Sequence, residues 1–388
     1  MRKQRRQEEG HLEQLKKRDE RLDAVKGFAI LLVMLGHCIV LNHLSDPYLY
    51  DAIVAIQMPL FMAVSGFTAG MGQKALCCAD GVRPELKKEL ARLKRRTISY
   101  LLPFFSWLVL THITDPLQEL GLQLFALDRG LWFLMTLWIV TLVVMAAAYL
   151  ANLAAWKLAS RGRKGMVRFL VFGAVLTVCY VGFVIWGRSG NTFLSPSLTV
   201  KYLPFYAAGY LWSFYITPFV KKYREKRNIE AGKRDILNGI ALGLWIFALL
   251  IFGYLIAAFD MVVVTDTLSL MAQMAASFLG SFICFYGIYH FVRGPLQIGL
   301  SFIGQYTLEI YVLHFRFARL LGIGEKGIVP GSIRAAGWIM AAFALMSLLT
   351  AVCIILIKKV RILDLLLFGR TSGRIQWRKP IRKTGSQT

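Results

Sequence analysis

Acidic side chains are scarce in this 388-residue chain: 22 Asp and Glu stand against 46 Lys and Arg, for a formal net charge of +24. Long polar stretches are scarce as well. Hydrophobic residues make up 56% of the chain and the mean hydropathy is +0.54, whereas soluble domains carry about 45–50% apolar residues even with glycine counted. The apolar residues fall in long runs that cover most of the chain. This excludes a large soluble domain and marks a polytopic membrane protein. Cysteine is sparse and unpatterned: Cys38, Cys77, Cys78, Cys179, Cys284 and Cys353 have no spacing that suggests a disulfide framework or a zinc site. The adjacency of Cys77 and Cys78 also disfavours a shared tetrahedral metal, so no metal is expected. The first apolar run lacks a small-residue cleavage site after it and follows a polar leader of about twenty residues, so it is expected to be retained rather than removed as a signal peptide.

What is abundant is positive charge, and its distribution decides its meaning. A sequence pI of about 10.0 would suit a nucleic-acid partner. The basic residues instead cluster between alternate apolar runs, so nucleic acid is not expected and membrane lipids are. Ten runs are each long enough to cross about 30 Å of hydrocarbon. They lie near 22–42, 50–72, 96–114, 131–153, 167–186, 197–219, 236–259, 267–292, 297–319 and 335–357. The leader up to Arg21 carries eight Lys and Arg, the second connection seven, the sixth seven and the tail from Lys358 nine. The first and seventh connections carry none. This alternation predicts an all-α, multi-pass protein of about ten transmembrane helices with both termini cytoplasmic. It divides the chain into a basic leader (1–21), a ten-helix domain (22–357) and a basic tail (358–388).

Four basic or titratable residues stand out against this background. Lys26 and His37 lie eleven positions apart in the first span, which puts them within roughly 20° of one helix face and roughly 16 Å apart along its axis. The topology directs Lys26 inward and His37 past the midplane toward the outside. Ionisable groups in a span point to function by default. Snorkelling of Lys26 and packing of His37 account for the pair equally well on residue physics alone. Asp23, one turn before Lys26, is placed to pair with it. Arg92 and Arg95 precede the third span three residues apart, on one face if the helix begins early. Two guanidiniums there suit bidentate phosphate binding, although plain anchoring explains them too. His43, His112 and His314, with His37, all fall in the outer half, which suggests a polar chamber opening outward. In the second span Pro59 is expected to kink the helix and Gly66 to allow close helix contact.

In order along the chain, these motifs resemble the membrane-bound acyltransferase 3 family, closest to its fucose 4-O-acetylase-like branch. The resemblance rests on the Lys26-x10-His37 spacing with Gly36 before the histidine, on Met58-Pro59-Leu60-Phe61 and Ser65-Gly66-Phe67, and on Arg92-x-x-Arg95. It extends through Arg95-Arg96 leading to Leu102-Pro103-Phe104, Leu131-Trp132-Phe133-Leu134, and Ile310-Tyr311-Val312-Leu313-His314. Each element is short; together they run from residue 21 to 314 in the family's order. Lys26 departs from branches that carry Arg at that position, and Glu309 has no assignment in the family pattern.

The resemblance implies a membrane-embedded O-acyltransferase that moves an acyl group, usually acetyl from acetyl-CoA, to a hydroxyl of a sugar or glycan. Lys26, Arg92 and Arg95 would then bind the CoA phosphates at the inner face. His37 would be the catalytic residue, as general base or transient acyl carrier. A cell-membrane location is expected, with the glycan acceptor on the outer side. The competing expectation is a multi-pass transporter or exporter of a glycan or small metabolite, since intramembrane Lys, His and Glu also suit a proton-coupled carrier.

Overall fold

The computed structural model describes residues 19–77, 85–158, 163–218, 231–323 and 327–369. Most of the basic leader, Cys78, most of the sixth connection, Lys326 and the tail beyond Gly369 lie outside the described residues. Among those described, the ordered elements are helices. They are α1 (Glu20–Val40), α2 (Leu49–Cys77), α3 (Leu86–Thr111), α4 (Pro116–Phe125), α5 (Trp132–Leu158), α6 (Lys164–Arg188), α7 (Pro196–Leu211), α8 (Ala231–Ala258), α9 (Thr267–Phe291), α10 (Gly294–Gly304), α11 (Thr307–Leu313), α12 (Ile333–Lys358) and α13 (Arg361–Phe368).

Seven of the described helices are long and apolar enough to cross a membrane: α1, α2, α5, α6, α8, α9 and α12. The other three expected spans differ for local reasons. The third begins inside α3, whose first three turns hold the Arg92–Arg96 basic cluster. The sixth is the 16-residue α7, which continues into a π-helical turn, Trp212–Ile216. The ninth is broken into α10 and α11 at Gln305-Tyr306, and ends in a 3₁₀ turn, His314–Phe317.

α1 is the central helix. Its start is capped by Asp19, whose carboxylate accepts from the backbone N–H of Arg21 at 3.0 Å and of Leu22 at 3.3 Å, satisfying donors that a helix start leaves free. α2, α9, α10, α11 and α12 all pack on it. The contact with α10 depends on two glycines: a Cβ on Gly27 would overlap the Leu300 carbonyl, and one on Gly304 would overlap the Asp23 carbonyl. The same device joins α2 to α7, where a Cβ on Gly66 would overlap the Tyr206 carbonyl and one on Gly209 the Ala63 carbonyl. Such small-residue contacts let backbones approach where lipid gives little hydrophobic drive for helix association. α2 runs unbroken through Pro59. At the periphery, α6 and α8 are only 6% and 11% buried over their most apolar windows, against 61% for α1. They present apolar surface outward, as helices facing lipid do.

α13 lies within the segment expected as tail. It packs on α3, α11 and α12, with Phe368 fully buried and the Trp107 indole N–H donating to the Leu367 carbonyl at 2.9 Å. It is anchored by a buried charge cluster. Lys358, at the end of α12, lies 2.8 Å from Glu309 Oε1 and 3.3 Å from Asp364 Oδ1. Glu309 therefore joins α11 to α12 and α13.

Candidate functional site

The site is assembled around α1 from segments far apart in sequence. A cavity of about 140 Å³ opens beside Lys26. α2 contributes Met58, Phe61, Ser65 and Thr68 to its lining, one helical face at a spacing of three to four residues. α3 contributes Tyr100, and α5 contributes Phe133, Leu134 and Leu137. The α10–α11 break supplies Gly304, Gln305, Thr307, Leu308 and Tyr311. The hydroxyls of Ser65, Thr68, Thr307 and the tyrosines share this lining with Phe61 and Phe133, the mix of apolar surface and a few polar groups common in small-molecule sites.

Lys26 is the α1 residue in this lining. Its ammonium is 3.4 Å from Asp23 Oδ1, and its side chain keeps 25% exposure, so the pairing expected one turn apart is present. Tyr311 belongs to the same lining. Its ring centre is 5.4 Å from that of Phe133 and its hydroxyl accepts from the Phe133 backbone N–H at 3.3 Å. One turn beyond Tyr311 is His314, with ring centres 6.1 Å apart.

His314 meets His37. Their ring centres are 5.2 Å apart at an interplanar angle of 44°. Phe315 closes on His37 edge-on at 5.3 Å, while staying 53% exposed. The Nδ1 of His314 is 2.8 Å from the Ile310 carbonyl. His37 Nδ1 and His314 Nε2 are both buried without a hydrogen-bond partner, as is Gln57 Oε1. That Gln57 oxygen would be 2.8 Å from a Cβ placed on Gly36, so α2 presents an amide directly against the α1 turn that holds His37.

The expected residues come together unequally. Lys26 and His37 share one face of α1; Lys26 lines the cavity, and His37 lies outside its lining, reached through Tyr311 and His314. Arg92 is half-buried: it pairs with Glu89 at 3.1 Å and donates to the Gln73 side chain at the end of α2. Arg95 is exposed. Its neighbour Arg96 is the arginine that turns inward, donating to the Tyr206 hydroxyl at 3.1 Å. Of the other outer histidines, His43 is exposed at the end of α1 with φ of 55°. His112 caps α3, 4.0 Å from Glu119. Neither joins the His37–His314 pair. Sequence reasoning had no means to pair His37 with His314 or to bring Tyr100 and Gln305 to one cavity. The i, i+3 spacing of Tyr311 and His314 was the available hint that both share a face.

The motif segments thus converge: Phe61 and Ser65 from α2, Phe133 from the start of α5 and Tyr311 from α11 line one cavity with Lys26, and His314, in the turn after α11, meets His37. Among the described residues, no group of three or more His, Cys, Asp or Glu is placed to hold a metal ion.

Comparison with known proteins agrees with this convergence. A family model described as an acyltransferase domain matches residues 19–358, from the α1 cap to the end of α12. The nodulation protein NolL of Sinorhizobium fredii is 25% identical over 336 residues, covering 79% of this chain and 81% of that protein. No solved structure matches the chain. With the matched region holding every element of the Lys26–His37 site, the chain belongs to the acyltransferase 3 family of membrane acyltransferases.

Proposed function

We propose that this membrane acyltransferase takes its acyl group, acetyl in the first instance, from acyl-CoA on the cytoplasmic side and passes it to a hydroxyl of a sugar or glycan on the outer side of the cell membrane. The observation that carries this reading is the cavity beside Lys26 of α1. Tyr311 shares its lining, and the Tyr311 ring centre is 6.1 Å from that of His314, which in turn meets His37. In this reading the chain crosses the membrane ten times with both termini cytoplasmic, and the broken α10–α11 segment counts as one crossing. Non-helical backbone at membrane depth is tolerated where it borders a protein-lined cavity, which is the position of the Gln305-Tyr306 break. The domain spans 22–357, flanked by a basic leader (1–21) and a basic tail (358–388).

Lys26 sits at the cavity's inner end. Arg92 and Arg95 lie on α3, two turns and one turn before the cavity residue Tyr100, so all three cations are at the side from which a polyanionic donor approaches. Removing solvated phosphates from water requires compensating charge, and cations at the mouth supply it while the uncharged pantetheine arm enters. The arm's amides meet the hydroxyls of Ser65, Thr68 and Thr307. The rise from Lys26 to His37, roughly 16 Å, is of the same order as that arm. The thioester is thereby brought to His37 without the phosphates crossing the membrane.

His37 then acts as general base. It takes the proton of the acceptor hydroxyl as the oxygen bonds to the acyl carbon. The carbon–sulfur bond breaks, and the departing thiolate is protonated to the thiol. The buried, unpartnered Nδ1 is assigned to the protein side of the ring, and Nε2 to the hydroxyl. Glu309, which a proton-coupled carrier would need facing a pathway, is engaged instead by Lys358.

Purified protein in lipid nanodiscs tests the reading. CoA and acetyl-CoA are expected to raise its thermal midpoint, and it is expected to transfer radiolabelled acetyl from acetyl-CoA to a glycan acceptor. Mass spectrometry of surface glycans with and without the protein should differ by one acyl mass per site. Absence of both stabilisation and the mass difference overturns the proposal.

A further inference from the structure

We infer that His314 is a positioning residue for His37: it accepts a hydrogen bond from His37 Nδ1–H and so holds the His37 ring in the tautomer whose Nε2 is free to take a proton. This rests on the acyl-transfer reading of His37 and goes beyond it by naming the group that orients the base.

The inference is a matter of matching donors to acceptors. A neutral imidazole carries one N–H and one lone pair, and the hydrogen bond made by one nitrogen decides which is which. His314 Nδ1 faces the Ile310 carbonyl at 2.8 Å. A carbonyl oxygen only accepts, so Nδ1 carries the proton and Nε2 is left as an acceptor. That Nε2 is buried, in a residue 1% exposed, and has no partner. The Nδ1 of His37 is likewise buried and unpartnered. An orphaned buried donor or acceptor is costly; with the His37 proton on Nδ1, the two atoms, on rings 5.2 Å apart, are donor and acceptor and satisfy one another by a rotation that brings N–H and lone pair into line. Catalytic hydrogen bonds are often open in a resting enzyme and tighten only when substrate is bound.

The surroundings favour this donor–acceptor pairing over ion-pair alternatives. From α11 the pair is faced by Tyr311, from α2 by the Gln57 amide and from the 3₁₀ turn by Phe315. The nearest charged residues in sequence are engaged elsewhere: the Arg316 guanidinium sits 4.8 Å over the Trp107 ring and the Arg319 Nε donates to the Leu41 carbonyl. No carboxylate among the described residues pairs with either ring. A neutral acceptor therefore does here what a carboxylate does in a Ser-His-Asp triad, setting the tautomer and steadying the imidazolium that forms. His314 itself gains and loses no proton. The hydroxyl proton resides on His37 Nε2 until it passes to the leaving thiolate.

Two measurements on the full-length protein in nanodiscs test this. The first is ¹⁵N spectroscopy of selectively labelled histidine, with His37 assigned by its absence in His37→Asn. The native protein is expected to show His37 as the Nδ1–H tautomer, and His314→Leu to shift it to the Nε2–H form that free imidazole side chains prefer in water. The second is kinetic. His314→Leu is expected to lower kcat by roughly 10- to 100-fold with the KM for acyl-CoA within about threefold. His314→Gln, which restores a neutral acceptor oxygen, is expected to recover most of that loss. His37 in the Nε2–H tautomer in native protein overturns the inference, as does His314→Gln working no better than His314→Leu. The tautomer is read without turnover, so a native protein that transfers no acyl group would sink the acyl-transfer reading and leave this result standing on its own.

Discussion

Two buried polar clusters lie five residues apart on and just beyond α11, and they differ in how far their needs are met. Around Glu309, the Lys358 ammonium contacts Glu309 and Asp364 at 2.8 and 3.3 Å and lies 5.5 Å from the Tyr306 and Phe368 ring centres, so that of the two Glu309 oxygens only Oε2 is buried without a hydrogen-bond partner. Around His314, two imidazoles and an amide oxygen leave three buried atoms without partners. The first cluster ties α11, α12 and α13 together. The second leaves hydrogen-bonding capacity pointed into the space between helices. Buried polar atoms are satisfied as a rule, and those that are not call for an explanation. In the mechanism proposed above, the open His37 and His314 nitrogens come to satisfy one another, and His37 Nε2 is left for the proton.

That contrast can be broken experimentally. The largest effect is expected at His37. His37→Ala should reduce acyl transfer by at least about 100-fold while leaving the thermal midpoint near native. A variant that transfers at the native rate would remove His37 from the mechanism. Next is Lys358→Met, which strands two buried carboxylates. Breaking a buried ion pair by removing one partner costs about 3–5 kcal/mol, so the thermal midpoint and folded yield should fall sharply. If the midpoint holds, the cluster does not fasten α13.

Glu309→Gln sharpens the comparison further. It removes one charge but leaves Lys358 with Asp364, so a loss of about 1–3 kcal/mol is expected, with kcat within twofold of native. A large loss of turnover in a stably folded Glu309→Gln protein would instead give Glu309 a part in proton movement. The smallest effect is expected at the donor mouth. Arg92→Gln and Arg95→Gln should each raise the KM for acyl-CoA severalfold with little change in kcat. Because Arg92 is already bonded to Glu89 and Gln73 and Arg95 is exposed, their relative sizes report which arginine meets the phosphates. An effect confined to acceptor KM would contradict the donor-side reading.

The two clusters were also unequally legible in the sequence. Lys26 and His37 stood on one α-helix, and helical periodicity alone put them on one face. The close approach at Gly66 was likewise readable, since a glycine in an apolar helix marks contact with a neighbour. Glu309 could not be read, because its partners arrive from residues 358 and 364 on elements joined to α11 only through packing. The ninth span was expected as one helix and is broken at Gln305-Tyr306. Hydropathy averages over that break, whereas the overlap of Gly304 with the Asp23 carbonyl that a side chain would cause depends on α1 lying against α10. The basic Arg92–Arg96 cluster was visible as charge, yet which guanidinium turns inward to Tyr206 was set by α7.

The one-dimensional part is written in the chain itself: which stretches are apolar, which connections are basic, and which residues share a helix face. These follow from composition and from the 3.6-residue period, and both are local. Only the tertiary structure decided that His37 meets His314, that Phe61, Phe133, Tyr100 and Tyr311 line one cavity from Lys26, and that Glu309 is neutralised by Lys358. Those are contacts between residues up to several hundred positions apart. They depend on how closely glycine-lined helices approach and on where a helix breaks, which no single stretch of chain encodes.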